Sequence, residues 1–133
     1  RLYCGQYMGA GEIGSLPYLD SDFEHYCSSF FFKRYNITGA LAAEKAAQGD
    51  EAALDIWKEF GMHLGNLMKA ILFAYAPQAI VLGGGIVTAF PLFKDAMMNE
   101  MQSFPYKIML DNVKVIASYR KDSSLLGASA LLE

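Results

Sequence analysis

The 133-residue chain is poor in cysteine, with two, and in proline, with four. Cys4 and Cys27 are too few for a disulfide framework, so a reducing, cytoplasmic setting is the expectation. Charged residues are sparse at 19%, and the formal net charge of −3 gives no reason to expect nucleic acid or a membrane as partner. No apolar run has the length of a membrane span. The longest candidate, residues 67–79, is broken by Lys69 and Pro77. No secretory signal opens the chain, which begins Arg1-Leu2-Tyr3-Cys4 without a Met, as expected if the N-terminus is missing or processed. Repeats, linkers and low-complexity stretches are also lacking. What remains is one domain's worth of chain, 53% apolar, rich enough for a sizeable core and too rich for disorder.

The chain is organised around Ala79-Ile80-Val81-Leu82-Gly83-Gly84-Gly85-Ile86. A short apolar run that empties into three glycines reads as a buried strand ending in a tight loop. Such a loop can turn sharply and let a ligand approach its backbone. The N–H groups of the helix that follows would favour an anion there. A plain strand-to-helix turn fits the same pattern.

Upstream, residues 2–7 read as a short strand. Gly9-Ala10-Gly11-Glu12-Ile13-Gly14-Ser15 reads as an irregular, closely packed loop, in which Glu12 is either a solvated loop residue or a ligand reader. Ser21-Asp22-Phe23-Glu24 has the form of a capping box with Ser21 as N-cap. The spacing of Phe23, Tyr26, Cys27, Phe30 and Phe31 predicts a helix over residues 22–34. On that reading Glu24 is a helix cap, Cys27 is core and His25 is surface. His25 and Cys27, two apart, do not share a helix face, and two ligands are too few for zinc.

Thr38 is a candidate N-cap for a helix over residues 40–48, with Gly49 at its C′ position. Asp50 caps the longest helix, which Pro77 stops. Its apolar character predicts a central, buried element. His63 reads as a surface or internally satisfied histidine. Gly61 and Gly65, four apart, predict the close approach of another backbone. After the glycine loop, Thr88 is a candidate cap with Pro91 in the first turn. Phe93, Ala96, Met97, Met101 and Phe104 form the buried face of that helix, which Pro105 ends. Residues 113–119 read as a strand parallel to residues 79–82, and residues 124–132 as a closing helix in which Gly127 allows tight packing. The order of elements predicts an α/β fold with helices covering a sheet. Ligands then belong at the carboxyl ends of the strands, where the triglycine loop lies.

Taken together, several stretches resemble the ROK family of sugar kinases and sugar-responsive repressors. Leu2-Tyr3-Cys4-Gly5 leading to Gly9-Ala10-Gly11-Glu12-Ile13-Gly14 resembles the family's hairpin and its E-x-G-H sugar motif. Ser15-Leu16-Pro17 stands where the family carries His, an apolar residue and Pro. Phe23-Glu24-His25-Tyr26 is similar to its L-E-A-Y helix start. The stretch from Gly49 to Leu54, Leu64-Gly65-Asn66-Leu67, and residues 77–86 resemble its long helix and triglycine strand. Leu125-Leu126-Gly127-Ala128 resembles its closing helix. No single piece is specific; the ordered set is.

The resemblance implies the C-terminal lobe of an actin-like (ribonuclease H-like) ATPase fold, with the phosphate loop and catalytic Asp upstream of Arg1. It implies an ATP-dependent hexose kinase of the glucokinase or fructokinase kind, with Mg2+, as part of a homo-oligomer. Glu12, Ser15 and Glu24 would contact the sugar, and Gly83, Gly84 and Gly85 the nucleotide. The alternative is the effector-binding domain of a sugar-responsive repressor, and a third reading is a structural or dimerisation domain. This segment alone should lack kinase activity. Two departures stand out. Ser15 replaces the motif's His and cannot take that residue's zinc-ligand role. The family's zinc loop, C-x-C-G-x-x-G-C, is missing and Tyr18-Leu19-Asp20-Ser21-Asp22 bridges the gap, so no zinc is expected.

Overall fold

The computed structural model describes residues 5–7, 9–122, 126, 129 and 130. A 3-10 turn, Ile13–Ser15, leads into a small antiparallel hairpin of β1 (Pro17–Tyr18) and β2 (Ser21–Asp22). Four helices follow: α1 (Phe23–Cys27), α2 (Phe30–Lys33), α3 (Gly39–Ala47) and α4 (Glu51–Tyr75). Strand β3 (Ala79–Leu82) enters the glycine loop and a 3-10 turn, Gly85–Ala89. Helices α5 (Phe90–Met101) and α6 (Lys107–Asn112) precede β4 (Lys114–Ala117). Strands β3 and β4 pair in parallel, Ile80 opposite Val115 and Val81 opposite Ile116, a pairing that needs the long helical crossover between them. This is an α/β chain with helices and two small sheets.

The caps set the helix starts. Thr38 accepts from the Leu41 N–H at 3.2 Å, and Asp50 from the Ala53 N–H at 2.9 Å, so both expected caps are made. Gly49 takes φ +84° after α3, and α4 ends on Ala76 in the left-handed region just before Pro77.

Helix α4 is the spine. Trp57, Phe60, Leu64, Met68 and Leu72 on it are buried. Phe31 and Phe32 of α2 and Phe93, Met97 and Met101 of α5 complete the core. Burying each of these large side chains contributes roughly 1.5–3 kcal/mol. Helices α4 and α5 meet at the two glycines. A Cβ on Gly61 would lie 2.5 Å from the Phe93 carbonyl oxygen, and one on Gly65 would lie 2.7 Å from that of Met97. The backbone contact expected from the spacing of these glycines is present. Lys69 on α4 adds an ion pair to Glu100 on α5 at 2.7 Å. Although α4 has 25 residues, no helix among the described residues is long and apolar enough to cross a membrane.

Several expectations need correction. The helix expected over residues 22–34 is two short helices broken at Ser28–Ser29, because the Ser28 hydroxyl takes the Phe30 N–H and competes with the helical ladder. Its N-cap is Asp22, which has extended backbone immediately before Phe23 and accepts from the His25 N–H at 2.9 Å; Ser21 stands one residue too early, so the expected capping box does not form. Thr88 caps nothing. Its hydroxyl donates to the Gly85 carbonyl inside the 3-10 turn, and α5 starts without a side-chain cap. Helix α6 was not anticipated. Of the strand expected at residues 2–7, the described residues 5–7 are irregular and residues 2–4 lie outside the described set. The closing helix at residues 124–132, with Gly127, also falls mostly outside it.

Candidate functional site

The triglycine loop sits at the carboxyl end of β3. Gly84 takes φ +85°, a conformation that side-chain-bearing residues rarely adopt. A Cβ built on Gly83, Gly84 or Gly85 meets nothing within 4 Å, so the loop faces open space. That space is two clefts. One, about 590 Å³, is walled by Gly83, Gly85, Thr88, Ser28, Ser29 and Trp57. The other, about 420 Å³, lies between Gly84, Gly85 and the residues after β4, including Tyr119, Arg120 and Lys121. The larger cleft is within the size range of small-molecule sites.

Two side chains in the larger cleft have distinctive chemistry. Trp57 is 1% exposed, and its indole Nε1–H is the buried side-chain polar atom without an acceptor among the described residues. An orphaned buried donor costs about 1–3 kcal/mol. Cys27 lies half-buried in the wall, where burial pushes its thiol up to about 12, so it stays protonated.

The candidate sugar residues lie around α1. Glu12 stands at the start of the 3-10 turn and does not cap it with its side chain. Ser15 ends that turn and is exposed. Glu24 is exposed in the first turn of α1, and a Cβ on Gly14 would lie 3.7 Å from Glu24 Cβ. The turn and Glu24 are therefore neighbours. Among the described residues the side chains of Glu12, Ser15 and Glu24 make no hydrogen bond or ion pair, leaving their oxygens open to solvent. Helix α1 joins the two regions. It begins with Glu24 beside the 3-10 turn and ends with Cys27 and Ser28 in the wall of the larger cleft.

The ROK family model matches residues 20–133. The chain belongs to the ROK family. Glu24 and Gly83–Gly85 fall within the matched residues, whereas Glu12 and Ser15 precede them. In structure this ROK chain is similar to a protein from Cytophaga hutchinsonii described as a "putative sugar kinase", with a TM-score of 0.82 at 23% sequence identity. The likeness covers 91% of this chain and 47% of that one, so the chain spans about half the length of the solved structure it matches. At that identity the likeness establishes the fold. No curated protein matches the chain.

Some ROK proteins carry zinc beside the sugar motif, and the residues here do not fit that ion. The connection from Ser15 to Phe23 contains no Cys or His. Nearby, Cys27 lies in the wall of the larger cleft and His25 Nδ1 is bonded to Asp22 at 2.7 Å. Among the described residues no three His, Cys, Asp or Glu side chains converge as a metal set.

The residues that the sequence reading missed are the cleft walls: Trp57, the Ser28–Ser29 break, and Arg120–Lys121. A pair of serines inside an apolar run was the available signal for the break. Trp57 was legible as core, but its unpaired N–H was not.

Proposed function

We propose that this chain is the C-terminal, sugar- and nucleotide-binding lobe of a cytoplasmic ATP-dependent hexose kinase of the glucokinase or fructokinase kind. The observation that carries the reading is α1. At one end it presents Glu24 beside the Glu12–Ser15 turn, and at the other it walls the cleft under the triglycine loop. Five helical residues span only about 6 Å between first and last Cα. A sugar held at one end and a phosphate chain over the glycines would thus lie on the two sides of one short helix.

Each side chain has a role its chemistry suits. Ionised Glu12 and Glu24 are acceptor-only, so each takes two hydroxyl donors from a sugar. Ser15 both donates and accepts, though its reach is shorter than a histidine's. Gly83, Gly84 and Gly85 let backbone N–H groups approach phosphate oxygens without a Cβ in the way. Bound Mg-ATP supplies the phosphoryl group and the charge neutralisation that its transfer needs. The base that takes the sugar hydroxyl's proton belongs to the lobe upstream of Arg1, so the segment alone does not turn over. Exposed apolar side chains on β3 and β4, Val81 and Ile116, offer a face for the rest of the parent or for a second copy in a homo-oligomer.

The test uses the full-length protein that contains this chain. Hydrogen bonds to a charged partner are each worth roughly 1.5–3 kcal/mol. Glu12→Gln and Glu24→Gln should therefore each weaken hexose binding about tenfold or more in calorimetric titration. Sugar-dependent ADP release by the wild type should accompany binding. Tight sugar binding with no ADP release would move the reading to a sugar-responsive repressor. Unchanged affinity in both variants would remove the sugar site from this segment.

A further inference from the structure

The β1–β2 hairpin lies between the two parts of the candidate sugar site, the Glu12–Ser15 turn before it and Glu24 after it. Two strands of two residues cannot hold their place alone. Their connection is also strained, since Leu19 takes φ +51° while 70% exposed. Other groups must fix this hairpin.

The Tyr18 hydroxyl and His63 Nδ1 are 2.9 Å apart, and His63 is 3% exposed on the spine helix α4. His63 Nε2 faces Glu59 at 3.4 Å, and Glu59 also accepts from the Tyr35 hydroxyl. The carboxylate at Nε2 assigns the tautomer: Nε2 carries the proton, and Nδ1 accepts from the phenol. The Tyr18 ring stacks on Phe23 at 4.3 Å and meets the Tyr26 and His63 rings edge-on. On the other side of the hairpin, Asp20 accepts from the Tyr26 hydroxyl and from Arg34 at 3.2 Å, and Arg34 lies over the Tyr26 ring. The Phe23 N–H closes the hairpin by donating to the Leu16 carbonyl at 3.1 Å.

We propose that Tyr18, Asp20, Tyr26, Arg34 and His63 form a metal-free latch that holds the Glu12–Ser15 turn against Glu24, and that His63 and Tyr18 are thereby positioning residues for the sugar. The inference rests on the sugar-site reading above. It adds that affinity for the sugar depends on a hydrogen bond to α4, made by a residue that never touches the ligand. His63 anchors the hairpin to the most deeply buried helix, and Asp20 ties it to α1 and α2. Both ties fix the hairpin that follows directly on the turn carrying Glu12 and Ser15. The larger cleft under the triglycine loop is lined by none of the five latch residues. Breaking the latch should therefore loosen the sugar and leave the nucleotide alone.

The experiment measures sugar and nucleotide affinity of the full-length protein separately, with D-glucose, D-fructose, D-mannose and N-acetyl-D-glucosamine as probes and the tightest binder carried forward. Tyr18→Phe keeps the ring and removes the hydroxyl. The expected result is a sugar Kd about tenfold weaker, nucleotide Kd within twofold, and the same far-ultraviolet spectrum. His63→Leu should weaken sugar to a similar degree, and the double variant no further, because both single changes remove one shared bond. Should Tyr18→Phe fail to fold, Asp20→Asn at the exposed end of the latch takes its place with the same expectation. Glu12→Gln is the reference. If Glu12→Gln weakens sugar binding and Tyr18→Phe does not, the latch is refuted while the sugar site stands. If Glu12→Gln and Glu24→Gln also have no effect, the sugar-site reading fails first. Equal losses of sugar and nucleotide affinity in Tyr18→Phe would make Tyr18 a general structural residue and overturn the proposal.

Discussion

Replacing Gly65 by alanine tests the packing of α5 on α4. In the interior of a free helix the change would stabilise by about 1 kcal/mol, since alanine has the higher helix propensity. Here the new Cβ would stand 2.6 Å from Glu100 Cβ and 2.7 Å from the Met97 carbonyl oxygen. One of those atoms is backbone, so α5 must move bodily away from α4. Overpacking of this kind costs roughly 1–3 kcal/mol, and a backbone clash belongs at the upper end. The net effect is a loss of about 2 kcal/mol against the propensity gain. At about 2–4 °C per kcal/mol for a chain of about 150–250 residues, that lowers Tm by about 4–8 °C. Gly61→Ala, with a Cβ 2.5 Å from the Phe93 carbonyl oxygen, should behave alike. The double variant should lose less than the sum, because a single displacement of α5 relieves both clashes. Thermal unfolding of the full-length protein followed by near-ultraviolet circular dichroism reads the effect. Lys58→Ala, on the exposed side of α4, is the control and should stay within about 0.5 kcal/mol. A Gly65→Ala protein as stable as the wild type, or more so, would refute the stated contact between α4 and α5.

Two further outcomes are expected. Gly84→Val should weaken nucleotide binding about tenfold or more while the protein stays folded. A β-branched residue resists φ +85°, but the space around the loop is open, so the clash is with a ligand and not with the fold; unchanged nucleotide affinity would reduce the loop to a turn. Stability should also fall as pH drops below about 6.5. Burial holds the His63 pKa below its ordinary value, against the opposing pull of Glu59 and Glu100, with Arg34 adding to the depression. The unfolded chain therefore binds a proton at a pH where the folded one does not. The His63 contribution is full above the ordinary value and declines as pH falls toward the lowered folded pKa. His63→Leu should flatten the Tm–pH curve in that window; an unchanged slope would put the dependence elsewhere.

Local chemistry made much of the fold legible. Thr38 and Asp50 announce their helices because a side-chain oxygen before an apolar periodicity has one favourable use there. Ala79–Leu82 is readable because a short apolar run between Pro77 and three glycines is too short for a helix. Gly61 and Gly65 pointed correctly to close packing, since glycines in a helix interior carry a cost that only tertiary contact explains. Failures came where two local signals competed. Ser21 and Asp22 are both good N-caps, and the start of α1 at Phe23 gives the role to Asp22. Helix α6 follows Pro105 with six residues, too few to show a period.

The candidate site divides along the same line. Glu12, Glu24 and the triglycine loop could be picked out because each breaks its surroundings: a charge among glycines, a carboxylate at a helix start, a glycine run after a strand. The groups that would hold them in place do not break any pattern. Tyr18 and His63 are 45 residues apart, and each reads locally as an ordinary amphipathic side chain. Only when α4 runs behind the hairpin do they meet, and then the burial of His63 makes the pairing obligatory. A buried imidazole with both nitrogens engaged is costly to leave half-satisfied, so the hairpin cannot shift without exposing or orphaning it. The positions proposed to meet a ligand can thus be picked out from sequence. The positions that give the site its rigidity become visible only through contacts between distant segments, and the Tyr18–His63 bond is where this chain tests that difference.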